Sequence, residues 1–313
     1  MRSRRRVLGM ICGGLGLSML LYAGVTLADR IRADDADAPA SPGAPVAASL
    51  TPVTITSVTE TTQSGGPTLR LAGQAEAGSV VVLMDRGERV RQVRTDEDGA
   101  WSAGVPVPDG PPMAVEAELF VGEEGEPQIS IRGEQTVFRI HRAADRMEGR
   151  PALIMISAPA EPSRIISSPF GGLPGNGPLY FGAADYDDAG GVIFSGLSEV
   201  PGRVRLYIGN AAIGDTGVGA DGRWAYIASS VMPVGRSDVR AELLAETGER
   251  VAVRVPFERL PPMRGVGEGD DGALSVAFEP YRWQVRRALL GGGVQSTSIF
   301  APEESAETPV AQE

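Results

Sequence analysis

The stretch Leu71–Trp101 reads LAGQAEAGSVVVLMDRGERVRQVRTDEDGAW, and Phe194–Trp224 reads FSGLSEVPGRVRLYIGNAAIGDTGVGADGRW. In both, a glycine follows the opening residues, a second glycine precedes an aliphatic run, and Asp-Gly-x-Trp closes the segment. The aliphatic runs, Val80–Leu83 and Val204–Ile208, favour strands because β-branched residues suit a pleated surface. Asp-Gly between strands suits a tight hairpin, since both central residues can take positive φ. The chain therefore contains an internal repeat built from short strands.

The tryptophan that closes each copy, Trp101 or Trp224, is predicted to begin a strand and to point into a core, where its large apolar surface stabilises most. Further runs with alternating apolar residues follow the two copies, at Ala114–Val121 and Val239–Ala245. About seven short strands per unit, with turns every 8–12 residues, are typical of an immunoglobulin-like sandwich. The repeat thus predicts an all-β fold with two tandem Ig-like β-sandwich domains.

The two copies resemble bacterial immunoglobulin-like modules with the pattern G-x-A-x-P-G-x-x-V-x-V-Y followed by A-D-x-x-G-x-W. The residues that carry this resemblance are Gly73, Gly78, Asp98-Gly99 and Trp101 in the first copy and Gly196, Pro201-Gly202, Asp221-Gly222 and Trp224 in the second. The resemblance implies modules that act as spacers or adhesive domains, and it says little about chemistry.

Few chemical functions are open to this composition. The chain has one histidine, His141, one cysteine, Cys12, and no lysine, so a Ser-Lys dyad, a Schiff base and a His/Cys zinc site are excluded. The acidic runs Asp96–Asp98 and Asp187–Asp188 are predicted to be solvated turns rather than a calcium site or an acid pair. A net charge of −11 opposes a nucleic-acid partner. We expect a protein that is not an enzyme, with no catalytic residues, metal or cofactor.

The N-terminus carries a targeting pattern. After the basic residues MRSRRR, the segment Val7–Ala28 has no charge. About 20 apolar residues span a bilayer, whereas the apolar region of a signal peptide is shorter. The length of Val7–Ala28 therefore favours an uncleaved transmembrane helix over a signal peptide cleaved near Ala28. The arginines predict an N-terminus in the cytoplasm. The expected localisation is the bacterial inner membrane, single-pass, with the bulk of the chain periplasmic.

Near the C-terminus, Arg282–Val294 reads RWQVRRALLGGGV. Apolar residues recur there at helical spacing and a glycine follows as a typical cap, so a short basic helix is predicted. The residues concerned are Tyr281, Val285, Ala288, Leu289 and the cap Gly291. A strand at Ala273–Phe278 is expected before this helix, and a second short helix at Gln295–Phe300 after it.

This order of strand, tryptophan-containing helix, glycine and second helix resembles a lysin motif (LysM), here in a truncated βα(α) form without a closing strand. Val276 takes the strand position, Trp283 the tryptophan, and Ile299–Ala301 the second-helix signature. With the N-terminal anchor, two sandwiches and Tyr186–Gly190 as a Y-D-x-A-G start of the second, the whole chain resembles periplasmic LysM proteins of alphaproteobacterial type.

The LysM resemblance implies that peptidoglycan binds beside the loop that precedes the helix. The loop residues are Glu279, Pro280, Tyr281 and Arg282, with Tyr281 stacking on a sugar and Arg282 contacting polar groups. Trp283 would join Trp101 and Trp224 as a structural core residue. In the alternative reading the helix only docks on a neighbour or on a membrane surface, and the edge left by the missing strand takes up another chain.

These patterns predict a domain order. The expected segments are an anchor or signal at 1–29, a disordered linker at 30–50, sandwich 1 at 51–142, a Pro/Gly-rich connector at 143–178, sandwich 2 at 179–258, a linker at 259–272, the LysM-like segment at 273–301 and an acidic disordered tail at 302–313. The leading hypothesis is a cell-envelope protein that presents the LysM-like segment on Ig-like spacers. The alternative is a scaffold that binds another envelope protein through sandwich edge strands and the C-terminal helix.

Overall fold

A computed structural model describes residues 50–302 except 64, 122–128, 171–177, 189–190, 229–231, 263–273 and 290–292. The part of the chain from Leu50 onward is one compact unit. Its described residues form antiparallel strands and one short helix, α1 (Ala143–Met147), which confirms the predicted all-β character.

The first sandwich has seven strands in two sheets. They are β1 (Thr54–Gln63), β2 (Gly66–Gln74), β3 (Val80–Asp85), β4 (Glu88–Arg94), β5 (Ala100–Pro106), β6 (Met113–Val121) and β7 (Ile129–Ile140). Sheet 1 has the order β1-β2-β5, and sheet 2 contains β4-β3-β6-β7. The apolar residues of the two facing surfaces, among them Trp101, form the first core.

The second sandwich repeats this topology. Its strands are β10 (Leu179–Tyr186), β11 (Val192–Ser198), β12 (Gly202–Ile208), β13 (Ala211–Gly217), β14 (Arg223–Ala228), β15 (Gly235–Ala245) and β16 (Arg250–Arg259). Sheet 3 contains β14-β11-β10, and sheet 4 has the order β13-β12-β15-β16. The core between these sheets includes Trp224.

The repeated glycines have one structural cause. Gly73 and Gly196 occupy equivalent positions in β2 and β11, where the strand passes under the tryptophan of its own sandwich. A Cβ at Gly73 would lie 1.8 Å from the Thr54 carbonyl oxygen on β1 and 2.8 Å from the ring of Trp101. A Cβ at Gly196 would lie 2.0 Å from the Tyr180 carbonyl oxygen on β10 and 2.6 Å from the ring of Trp224. Close backbone approach therefore requires glycine at both sites.

Additional strands extend one sheet of each sandwich. β8 (Leu153–Ser157) and β9 (Arg164–Ser167) lengthen sheet 2 beyond β7. They lie in the segment predicted as a connector, whose apolar runs Ala152–Ser157 and Arg164–Ser167 are also expected either to pair or to complete a sheet of the first sandwich. β19 (Val294–Phe300), β18 (Arg282–Ala288) and β17 (Leu274–Phe278) lengthen sheet 3 beyond β10. Both extended sheets have six strands.

The two extended sheets pack against each other through a third core. Sheet 2 contributes Phe138, Leu153 and Met155, and sheet 3 contributes Trp283 and Ile299. The four sheets are thus layered in the order 1, 2, 3, 4. Three successive apolar cores hold these layers together, and the two sandwiches are not independent lobes on a flexible connector.

The predicted C-terminal βα(α) LysM-like remnant is wrong, because this segment is a three-stranded meander. Trp283 and Val285 point toward sheet 2 in the third core, whereas Gln284, between them, donates to the Tyr186 hydroxyl at 2.8 Å on the other face. This alternation has the period of a strand. Pairing on both sides with β17 and β19 satisfies the backbone groups that a short isolated helix would leave exposed. The proposed cap Gly291 lies outside the described residues.

The predicted localisation also needs correction. Within the residues that the structure describes, no helix is long and apolar enough to cross a membrane, so single-pass anchoring in the inner membrane is not supported. The segment Val7–Ala28 that was assigned to the anchor lies outside those residues, as do the linker at 30–49 and the tail from 303 to 313.

Candidate binding cleft

A cleft lies where the loop between β8 and β9, Ala158–Ser163, crosses the face of sheet 3 that is turned toward sheet 2. On one side of the loop is a cavity of about 300 Å³ whose lining includes Arg164, Leu197, Arg223 and Ala225; we call it the basic cavity. On the other side is a cavity of about 230 Å³ that we call the acidic cavity. Its lining includes Glu161, Asp187, Ile193 and Ile227.

A buried carboxylate fixes one end of the loop. Asp185 on β10 accepts hydrogen bonds from the Ser163 N–H at 2.8 Å, from the Ser163 hydroxyl at 2.6 Å and from the Thr297 hydroxyl at 2.6 Å. Burial raises the pKa of Asp185, while these hydrogen bonds and the charge of Arg287 act in the opposite direction. With all three donors committed to the loop and to β19, Asp185 acts as a structural clamp.

The other end of the loop is held through Gln295, whose amide donates to the Ala158 carbonyl at 3.1 Å. The Gln295 carbonyl oxygen in turn accepts from Arg287 Nε at 2.9 Å, and Arg287 also donates to Thr136 on β7. Arg287 lies 3.9 Å from Glu116, so sheets 2 and 3 are joined by polar contacts beside the third core. The loop is therefore a fixed wall of the cleft.

The floor of the cleft ends in the free edge of sheet 3, formed by β14. The Ser198 N–H donates to the Gly222 carbonyl at 2.7 Å, which fixes the alternation of hydrogen-bonded pairs between β11 and β14. By this alternation Ala225 and Ile227 belong to the pairs that are not hydrogen-bonded. Their N–H and C=O groups point away from β11, toward the edge. The Arg223 carbonyl points the same way and accepts from Gly219 at 2.7 Å.

The side chains of β14 divide between the two faces of sheet 3. Trp224 and Tyr226 face the second core, where the Tyr226 hydroxyl donates to the Ile213 carbonyl. Ala225 and Ile227 face the cleft, and Ile227 is 63% exposed. Edge strands are commonly protected by charged residues. β14 carries none after Arg223, whereas the edge strands β4 and β16 carry several.

The two cavities of the cleft carry opposite charges. Among the described residues that line the basic cavity are Arg164 and Arg223 and no carboxylate. Burial lowers the pKa of Arg223, and the like charge of Arg164 lowers it further. The lining of the acidic cavity contains Glu161, Asp185 and Asp187 and no arginine. A ligand that fills both cavities therefore meets positive charge at one end and negative charge at the other.

The site residues predicted from the sequence lie elsewhere. Glu279, Pro280, Tyr281 and Arg282 form the hairpin between β17 and β18, which the Glu279 N–H closes by donating to the Arg282 carbonyl at 2.9 Å. The Arg282 side chain is 6% exposed and pairs with Glu258 at 3.1 Å and with Glu279 at 2.7 Å. Tyr281 is 73% exposed. The predicted core residues Trp101, Trp224 and Trp283 are all buried.

The strand that begins at Trp224 was predicted from the sequence, but the cleft that β14 forms with the loop was not. The signal available was the run WAYIA, Trp224–Ala228, which is apolar on both faces and so indicates a strand covered on both sides. In the structure one of those faces is left partly open. The two cavities arise because the loop between β8 and β9 covers β10 but only part of β11 and β14. The position of this loop on sheet 3 depends on contacts between residues far apart in sequence, so no local sequence pattern predicts it.

Comparisons with known proteins do not identify the chain. No known protein family and no curated protein matches the sequence. One similar solved structure is described as a Ca²⁺-stabilized adhesin that helps an Antarctic bacterium reach out and bind ice. It is 13% identical, the match covers 80% of this chain and 91% of that chain, and the TM-score is 0.21. At that score the likeness carries no argument about fold or function.

Proposed function

We propose that this protein is a non-enzymatic binding protein that captures an extended polypeptide segment of a partner along β14. The observation that carries the proposal is the free edge of β14, which has no charged residue after Arg223 and lies directly beside a preformed cleft with opposite charges at its two ends. A peptide that adds to such an edge gains main-chain hydrogen bonds from the strand and specificity from pockets for alternate side chains.

The geometry suits this mode of binding. Ala225 and Ile227 each offer one N–H and one C=O to an added strand, because these groups have no partner on β11. Every second side chain of the added strand would face the cleft, beside the exposed side chain of Ile227. Burial of apolar groups there contributes about 25 cal/mol per Å² removed from water.

The charges of the cleft restrict the partner further. An acidic residue of the bound segment would lie near Arg164 and Arg223, and a basic residue near Glu161. Small or apolar residues would fill the space between them. A basic peptide residue near the arginines, or an acidic one near Glu161, would be repelled, so the peptide should bind in one direction only.

Peptidoglycan binding through residues 279–282 stays a prediction. The hairpin exposes Tyr281 for stacking on a sugar, but the guanidinium of Arg282 is already paired with two carboxylates. Sedimentation with purified sacculi, with and without Tyr281→Ala, tests it. Loss of sedimentation in that variant would favour the wall hypothesis over the peptide-binding one.

A selection experiment tests the peptide-binding proposal. A displayed library of random 12-residue peptides is panned on the native protein, on Ala225→Pro and on Ala252→Pro. Proline removes an N–H and fixes φ, and it is tolerated on an edge strand where the missing N–H would point outward and take no part in the ladder. Ala225 directs its N–H to the edge of β14. Ala252 is the matched control, because its N–H points to the free edge of β16, where Pro256 already occupies an equivalent position.

The native protein and Ala252→Pro should enrich peptides with a common apolar core and one acidic end, and should bind them alike. Ala225→Pro should bind the same peptides at least about tenfold more weakly, since one main-chain hydrogen bond and its neighbours are lost. Failure to enrich any peptide, or equal binding by Ala225→Pro, would contradict the proposal.

A further inference from the structure

The outer face of sheet 4 is basic although the chain as a whole carries a net charge of −11. Side chains on that face alternate with the buried residues of the second core. The arginines of the face are Arg203, Arg205, Arg236, Arg240, Arg250 and Arg254, and its carboxylates are Asp215, Asp238, Glu242 and Glu258. Arginines outnumber carboxylates, so some carboxylates must serve two arginines.

The carboxylates leave several guanidinium groups of the face weakly held, and Arg203 and Arg250 are the two of these that line one cavity. Asp215 accepts two hydrogen bonds from Arg205, at 2.7 and 3.0 Å, and lies 3.7 Å from Arg203. Glu242 lies 3.7 Å from Arg250. At 3.7 Å neither Arg203 nor Arg250 is within hydrogen-bond distance of its carboxylate, so their N–H donors are available for a ligand.

These two arginines face one cavity. Arg203 pairs with Leu244 across β12 and β15, and Leu244 pairs with Arg250 across β15 and β16. The two arginines therefore flank Leu244 on the same face, with Cα atoms about 10 Å apart because strands are spaced about 4.8 Å. A cavity of about 300 Å³ lies between them, and Leu244, 45% exposed, contributes an apolar floor. The carboxylates Asp215 and Glu242 and the paired Arg205 also line this cavity.

We propose that the cavity between Arg203 and Arg250 is a binding site for an oxyanion group, a carboxylate, sulfate or phosphate, carried by a ligand with a small apolar part. The planar guanidinium fork matches the geometry of such anions and can bind them through two parallel hydrogen bonds. One bound anion would neutralise the positive charge that Asp215 and Glu242 leave on the arginines, and Leu244 would contact the apolar part of the ligand. This site lies on sheet 4, so it is independent of the β14 cleft.

The test follows the Nε–H signals of the arginines by NMR during titration with inorganic phosphate, sulfate or acetate, with ionic strength held constant by sodium chloride. Saturable shifts at Arg203 and Arg250 are expected. The anion that binds most tightly identifies whether phosphate, sulfate or carboxylate chemistry is preferred. Constant ionic strength matters because exposed charge pairs respond to salt alone.

Two variants complete the test. The double variant Arg203→Gln/Arg250→Gln should bind at least about tenfold more weakly, because charge-assisted hydrogen bonds are the stronger class. Arg236→Gln, at the far end of the same face and 86% exposed in its side chain, should bind like the native protein. Shifts that do not saturate, that are the same with chloride, or that persist unchanged in the double variant would overturn the site and leave an ordinary solvated ion-pair face.

Discussion

Replacement of Trp283 by alanine tests the third core, which joins the two sandwiches. The side chain is fully buried and makes edge contacts with Phe278 and Phe170, at centroid distances of 4.8 and 5.5 Å. The guanidinium of Arg142 lies 5.0 Å from its ring centroid. Truncation of a buried Trp costs about 3–5 kcal/mol. The indole N–H has no partner among the described residues, and its removal offsets part of that cost, so we expect about 3 kcal/mol.

The assay is urea and thermal unfolding followed by circular dichroism. For a chain of this size, about 3 kcal/mol lowers the melting temperature by roughly 6–12 °C. Tyr281→Ala is the matched control two residues away. Tyr281 is 73% exposed, and the free energy of unfolding should therefore change by no more than about 0.5 kcal/mol.

A loss below about 1 kcal/mol for Trp283→Ala, or a loss equal to that of Tyr281→Ala, would refute the reasoning. Either result would mean that residues 282–288 do not form a strand in a core between sheets 2 and 3. It would favour the peripheral amphipathic helix that the sequence suggests.

Three further predictions concern single side chains. Gly196→Ala should cost about 3 kcal/mol or more in urea unfolding, because a Cβ would overlap the neighbouring strand, whereas Gly217→Ala, with open space at its Cβ, should be tolerated. Burial raises the pKa of Asp185, so the stability that its protonated form contributes is full below about pH 4 and is lost as the pH rises through the folded-state pKa. Asp185→Asn should flatten this fall of stability with pH, and a pH profile like that of the native protein would contradict the prediction. Glu60→Gln should cost about 1–2 kcal/mol, since it leaves the buried Arg139, 2.8 Å from Glu60 in the native protein, without its charge partner; no change in the urea midpoint would contradict this.

The strands of the two sandwiches could be predicted because their signals are local. Asp-Gly turns, β-branched runs and the repeated Gly and Trp positions predicted strands at Val80–Leu83 and Val204–Ile208, and both lie within observed strands. The repeat marks Gly73 and Gly196 as matching positions, and the structure shows that each pairs with the tryptophan of its own sandwich. Short-range patterns of this kind decide turns and alternation, which are the main determinants of a sandwich.

The C-terminal segment could not be predicted in this way. In RWQVRRALL the apolar residues fit both a helical and a strand period, and the following glycines suit a helix cap or a turn. In the structure the Leu289 N–H donates to the Gly293 carbonyl at 3.0 Å. Pairing with β10 and packing of Trp283 on sheet 2 decide the outcome. These contacts join residues far apart in sequence, and they override local propensity.

The candidate site depends on the same long-range contacts. Ala225 and Ile227 have no chemical signature in the sequence, and they become a site only through an uncovered edge and a loop that is fixed by Asp185 and Gln295. Searches for catalytic or metal-binding motifs pass over residues of this type. A binding surface made from backbone groups is visible only when the sheet order is known.

Hydrogen exchange at two amides tests the central claim most directly. With a peptide selected on the native protein, the N–H groups of Ala225 and Ile227 should exchange markedly more slowly than in the free protein, and the edge amide of Ala252 on β16 should not change. Unaltered exchange at Ala225 and Ile227 in the presence of a bound peptide, or protection confined to another edge, would contradict peptide capture along β14.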